Sequence, residues 1–133
     1  MLHDNPAIQD IIDLAFDTPL TIDTEILNEI VMNLQSRDEI LALAIGDSDE
    51  AFHLSQYIEN LVVKFDDELK DLLPPLATIS AIVNYVNGDL ERSQMFSYVA
   101  MMADSNYRLN QLFVALASRG VPAGVLRTLV LSA

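Results

Sequence analysis

The strongest constraint on this chain is its punctuation. Helix-start and helix-stop signals recur along it, and no stretch alternates apolar and polar residues between turns as a strand would. Asn5-Pro6, Asp17-Thr18-Pro19, Ser36-Arg37-Asp38-Glu39, Gly46-Asp47, Pro74-Pro75, Asn87-Gly88-Asp89, Asp104-Ser105-Asn106 and Gly120-Val121-Pro122 divide the sequence into segments with apolar residues at helical spacing. Ile8, Ile11, Ile12 and Ala15 form one such stripe. Ile26, Leu27, Ile30, Val31 and Leu34 form a second, and Phe52, Leu54, Ile58, Leu61, Val62 and Phe65 a third. The spacing predicts an all-α domain of about eight helices joined by short connections, which makes neighbours antiparallel.

Several boundaries follow from capping chemistry. Asp23 or Thr21 caps the second helix. Ser36 and Glu39 have the spacing of a capping box that opens a helix at Arg37. Asp47 or Ser48 starts a longer helix running to about Phe65. The run from Asp66 to Leu73 is expected to add a turn or two. Pro74-Pro75 then interrupts, with a new helix from Leu76 to Val86 and another from Asp89 to Ala103. Tyr107–Ser118 and a segment begun by Pro122 complete the set.

At 133 residues, half of them hydrophobic, the chain is one helical domain, 1–133, able to bury a core without staples. Its charge divides in two. Residues 1–74 carry 17 acidic and three basic side chains, a net −14; the near-neutral half, 75–133, carries three acidic and four basic, a net +1. No basic footprint exists for nucleic acid or for an anionic membrane. The acids read as a solvated surface, or as one that meets a basic partner. Cysteine is absent, the N-terminus has no basic-then-apolar leader, and no window of about 18 apolar residues occurs. A cytoplasmic protein is expected.

No motif names a reaction. There is no Gly-rich phosphate loop, no G-x-S-x-G and no His-rich metal motif. His3 and His53 are too far apart in sequence to suggest a shared site. Asp47-Ser48-Asp49-Glu50 lacks the glycine and glutamate of a calcium loop, since Phe52 and Ile58 stand in those places. Those acids suit a helix start, where the helix dipole favours them. Asp66, Asp67, Glu68 and Asp71 read as a solvated turn. Met95, Met101 and Met102 read as adaptable core. Arg37, the only Arg or Lys before Lys64, either pairs with a local acid such as Asp38 or clamps an anion. Tyr107-Arg108 either fixes the Gly88 hairpin to the next helix or contacts a ligand. Neither a catalytic residue, a metal nor a cofactor is expected.

Repetition is visible but degenerate: Gly46-Asp47 and Gly88-Asp89 lie 42 residues apart, Ala81 and Ala115 34 apart. Pro74 to Gly120 resembles about one and a half tetratricopeptide repeats. Ala81 takes the small first-helix place, Gly88-Asp89 the turn, and Ser93 and Ala100 the small second-helix places; Ser105 replaces the family's proline and Ala77 its large aromatic. Gly46 and Ala51 hold the corresponding places of the preceding hairpin. The resemblance implies stacked hairpins, as a right-handed superhelix or a compact bundle. It also implies a partner groove at Pro75, Thr78, Ile82, Tyr85 and Val86, continued by Leu109, Leu112, Leu116 and Arg119.

A wider resemblance rests on Arg37-Asp38 opening a helix, Gly88-Asp89, Ala103-Asp104 with Tyr107-Arg108-Leu109, and Gly120-Val121-Pro122 followed by Arg127. In these the chain resembles the C-terminal helical region of an actinobacterial family, domain of unknown function 4192. Full-length members carry an N-terminal α/β region, so the chain is expected to be a short member or a piece of a longer protein. The expected function is a non-catalytic interaction or scaffold module that binds a protein or packs on that absent domain. The alternatives are a lid or substrate wall for an enzyme, and a homo-oligomerisation domain, a homodimer for instance, built on the last helix.

Overall fold

The computed structural model describes residues 6–17, 23–64, 67 and 69–132, with the side chains of Ile30 and Ser132 left aside. Among the described residues there are eight α-helices: α1 (Pro6–Phe16), α2 (Thr24–Met32), α3 (Leu34–Ala44), α4 (Asp49–Lys64), α5 (Leu73–Val86), α6 (Leu90–Ala103), α7 (Arg108–Ser118) and α8 (Ala123–Ser132). A 3-10 turn, Lys70–Leu72, leads into α5. The described residues contain no strand, so the all-α expectation holds.

Local chemistry sets most boundaries. The Asp23 carboxylate accepts from Ile26 N–H at 3.1 Å, the Ser48 hydroxyl from Ala51 N–H at 3.1 Å, and the Asp89 carboxylate from Arg92 N–H at 3.1 Å. Each satisfies an orphan amide of a first turn. Gly88 and Gly120 take φ of +86° and +71° after α5 and α7, where a side chain would be strained. Two expected starts move. The Asn33 side chain accepts from Ser36 N–H at 3.1 Å, so α3 opens at Leu34 and Ser36 lies buried within it. An Asn three residues ahead of Ser36 captures the amide that a box beginning at Ser36 would have left outside the helix. Likewise, Pro74-Pro75 does not delay α5 to Leu76. The prolines occupy its first turn, where no N–H has a helical acceptor to lose. The expected ends at Thr18-Pro19 and Phe65, the Thr21 cap, and the acids Asp66 and Glu68 lie outside the described residues.

Helix α5 is the axis of the molecule. Its residues are mostly apolar, with Thr78, Ser80 and Asn84 the polar exceptions, and all but Tyr85 are buried. It touches α3, α4, α6, α7 and α8. The α5–α6 pair is the tightest. Ser93 Oγ donates to Ala81 O at 2.7 Å, and Ala77, Ala81, Phe96 and Ala100 are fully shielded between or beside the two helices. The small residues at 81, 93 and 100 therefore do set the approach of one hairpin. The array beyond it is a compact bundle. In a solenoid each hairpin meets only its neighbours, whereas here α8 returns to pack on α3 and α5. The two Gly-Asp turns also differ, since Gly46 has no left-handed φ.

This packing overturns the implied groove on α5. Pro75, Thr78, Ile82 and Val86 are buried by the chain's own helices, and Thr78 Oγ1 donates to Pro74 O at 2.7 Å inside the core. Of the five expected α5 positions only Tyr85 is left half-buried.

Two substitutions test this architecture. Leu76→Ala in the centre of α5 should cost about 3 kcal/mol and lower the melting temperature by roughly 10 °C. Gly88→Ala meets no atom within 4 Å and should cost only the backbone strain, about 1 kcal/mol. Thermal melts followed by circular dichroism measure both.

Candidate functional site

Helix α7 is a wedge with a depression on each side. Its inner edge, Asn110 and Phe113, is buried, and its flanks carry apolar residues that are half-buried or exposed. Asn110 braces it to α6. Ser97 Oγ donates to Asn110 Oδ1 at 2.9 Å, and Asn110 Nδ2 donates back to Ser97 O at 3.2 Å. Both residues are buried, so each polar group needs its partner, and the pair fixes the spacing of the two helices.

Between α6, α7 and the turn before α8 lies a cleft of about 710 Å³. Tyr85 and Phe113 form its floor, edge to face with centroids 5.5 Å apart. The Tyr85 hydroxyl donates to Val121 O, which ties the turn at 120–122 to the end of α5. Leu90, Tyr98 and Met101 of α6 and Val114 of α7 form the walls, each about half exposed. Ser93, Gln94, Ser97 and Ser118 supply the polar atoms, and no lining residue carries a charge.

On the other flank, α3, α5, α7 and α8 enclose a smaller apolar depression of about 290 Å³. It brings together Ile82, Leu112 and Leu116 with Arg37 and Asp38, which are five of the sequence-expected site residues. Arg37 is largely covered. Its Nη1 donates to the Tyr107 hydroxyl at 3.2 Å, and its Nε and Nη2 donate to Asp38 Oδ1 at 3.2 and 2.9 Å. Burial opposes its charge, but the bonds to Asp38 and Tyr107 outweigh that, and the guanidinium pKa stays above its ordinary value. Arg37 is thus a tie between α3 and the start of α7. The hydroxyl of Tyr107 is pushed up by burial, partly offset by Arg37.

The remaining expected residues scatter. Thr78 is in the core, Tyr85 faces the opposite cleft, and Arg108 and Arg119 are exposed outside both depressions. Met95, Met101 and Met102 are not core. They are 45%, 45% and 67% exposed, because α6 buries Ser93, Phe96, Ser97 and Ala100 and no described helix covers its other face. Sequence reasoning missed Leu90, Tyr98 and Val114. The available signal was that α6 carries apolar residues on two faces, more than one buried stripe requires.

Elsewhere, buried Glu59 is paired with Arg92 and accepts from Asn84 Nδ2 at 3.3 Å, joining α4, α5 and α6. His53 stacks on Phe16 at 4.2 Å. Asp49 and Glu50 sit in the first turn of α4, and Asp67 and Asp71 are exposed. No three His, Asp or Glu side chains converge among the described residues. Comparison with protein-family models, with curated proteins and with solved structures finds no match.

The tyrosines give a test in alkali. Burial, then the charges of Asp23 and Asp17, push Tyr57 up to about 12. An unfolded tyrosine ionises near ~10. Below that pH both states are protonated and stability is intact. Between there and about 12 the unfolded state ionises first, so stability falls as pH rises. Tyr57→Phe should flatten that decline in urea titrations, leaving the smaller part due to Tyr107.

Proposed function

We propose that this chain is a non-catalytic protein-interaction module and that the α6–α7 cleft is its docking site. The observation that carries the reading is the cleft's composition: apolar walls open to solvent, an aromatic floor, a few neutral polar groups and no charge. A helix presenting an apolar stripe to such a groove gains by burial and has no charged group to desolvate. No acid of α1–α4 lines it, so in this reading the acids act in solubility rather than in recognition. The implied groove moves from α5 to the α6–α7 pair, and the kinship with the actinobacterial helical region is retained as part of this reading. A cytoplasmic location agrees with the lack of cysteine and with the described helices, none of which is long and apolar enough to cross a membrane.

A labelled amphipathic helical peptide, leucine and alanine on one face and glutamine and serine on the other, tests the site without a known partner. Fluorescence anisotropy should show saturable binding to the protein and at least about tenfold weaker binding to Tyr98→Asp. Equal binding by the variant, or none by the native chain, would contradict the proposal.

A further inference from the structure

Large apolar residues left in solvent are not spread evenly over the surface. Among the described residues ten of fifteen lie between Leu90 and Leu131. On α6 they make two adjoining features. Leu90, Tyr98 and Met101 line the cleft, while Met95, Tyr98 and Met102 fall at i, i+3 and i+7 and form an outward ridge beside it. The 45–67% exposure of the four on α6 after Leu90 means that the described residues leave about half or more of each open to solvent. One helix thus carries both a knob and one wall of a hole.

We infer that the occupant of the cleft is a second copy of this chain: the α6 ridge of each copy sits in the α6–α7 cleft of the other. The inference rests on reading that cleft as a docking site. A twofold interface uses the same patch on both partners, so that patch must be self-complementary. Ridge and cleft on one face meet that requirement, whereas a groove alone would call for a different partner. Two α6–α7 hairpins facing each other in this way form a four-helix arrangement across the twofold axis, with Phe113 and Tyr85 beneath each ridge. Methionine and tyrosine suit the contact, the first because it adapts its shape and the second because it offers area at low entropic cost.

Charge selects the same mode of pairing. A chain of net charge −13 repels its copy in most orientations. The repulsive charge belongs to residues 1–74, and every described acid on α1–α4 except Asp23, Glu50 and Glu59 is exposed there. The half that holds the cleft has a net charge of +1, and the cleft lining has none. Pairing through α6 and α7 brings the neutral halves together and sets the acidic halves outward, where salt screens what repulsion remains.

Light scattering and sedimentation equilibrium, from about 1 µM to about 500 µM protein, read this directly. The expected result is a concentration-dependent rise from the 14.8 kDa of one chain to twice that mass. The dimer should persist or tighten when salt is raised tenfold. Tyr98→Asp and Met101→Asp should each weaken it about tenfold or more, and Met95→Glu on the ridge should do the same. Phe52→Asp, on the exposed face of α4, adds the same charge and removes a comparably exposed aromatic, and should leave the dimer unchanged. All four positions are on the surface, so circular dichroism should show native helicity in each variant. A dimer that ignores the three α6 variants would overturn the inference. So would a native chain that stays monomeric throughout while still binding the amphipathic peptide through Tyr98; the docking site would then stand with another occupant. If neither dimer nor peptide binding occurs, both readings fall.

Discussion

Burial of α5 on every side is the constraint from which the rest of the structure follows. A helix that is mostly apolar on each of its faces must be surrounded, and a chain of this length can do so only by wrapping its other helices about it. That is why α8 returns to α3 instead of extending a row of hairpins. Burial of each large side chain of α5, such as Leu76, Ile79 or Ile82, contributes roughly 2 kcal/mol. The small residues Ala77, Ala81, Ser93 and Ala100 let α6 come close enough to seal one side.

The same arrangement decides which surface is left over. Once α5 is enclosed, α6 has one face on the core and one face bare, and α7 touches the core only by its edge. The Ser97–Asn110 pair and the Tyr85–Val121 bond hold α6, α7 and the turn after α7 in place, so the cleft between them is built from fixed walls. On the other flank Arg37 is consumed by Asp38 and Tyr107, which makes it a strut between helices.

Local signals carried much of the fold. Asp23, Ser48 and Asp89 cap the helices their positions suggest, and Gly88 and Gly120 end α5 and α7 as expected, each with a left-handed φ. Where local rules compete, sequence is ambiguous. Asn33 outruns Ser36 because it reaches an amide one turn earlier, and a proline pair can end one helix or begin the next. The site was less legible. The repeat resemblance assigns a partner face by analogy with an array, but how far α5 is covered depends on where α8 packs, and α8 begins 37 residues after α5 ends. It therefore pointed to Thr78 and Ile82, which are core, and passed over Tyr98 and Val114, which are not. The joining of Ile82, Leu112 and Leu116 to Arg37 was likewise a long-range event that no local spacing encodes.

Methionine reactivity offers the most direct measure of the central claim that the α6–α7 face is uncovered by the chain and covered by a protein. Met32 on α2, 63% exposed, is an internal reference for Met101 in the cleft and Met102 beside it. Peroxide oxidation read by peptide mass spectrometry should modify Met101 and Met102 readily in dilute protein. As concentration rises or the amphipathic peptide is added, oxidation of Met101 should slow relative to that of Met32. A Met101 to Met32 ratio that stays constant under both conditions, or a Met101 already inert in dilute protein, would contradict the account.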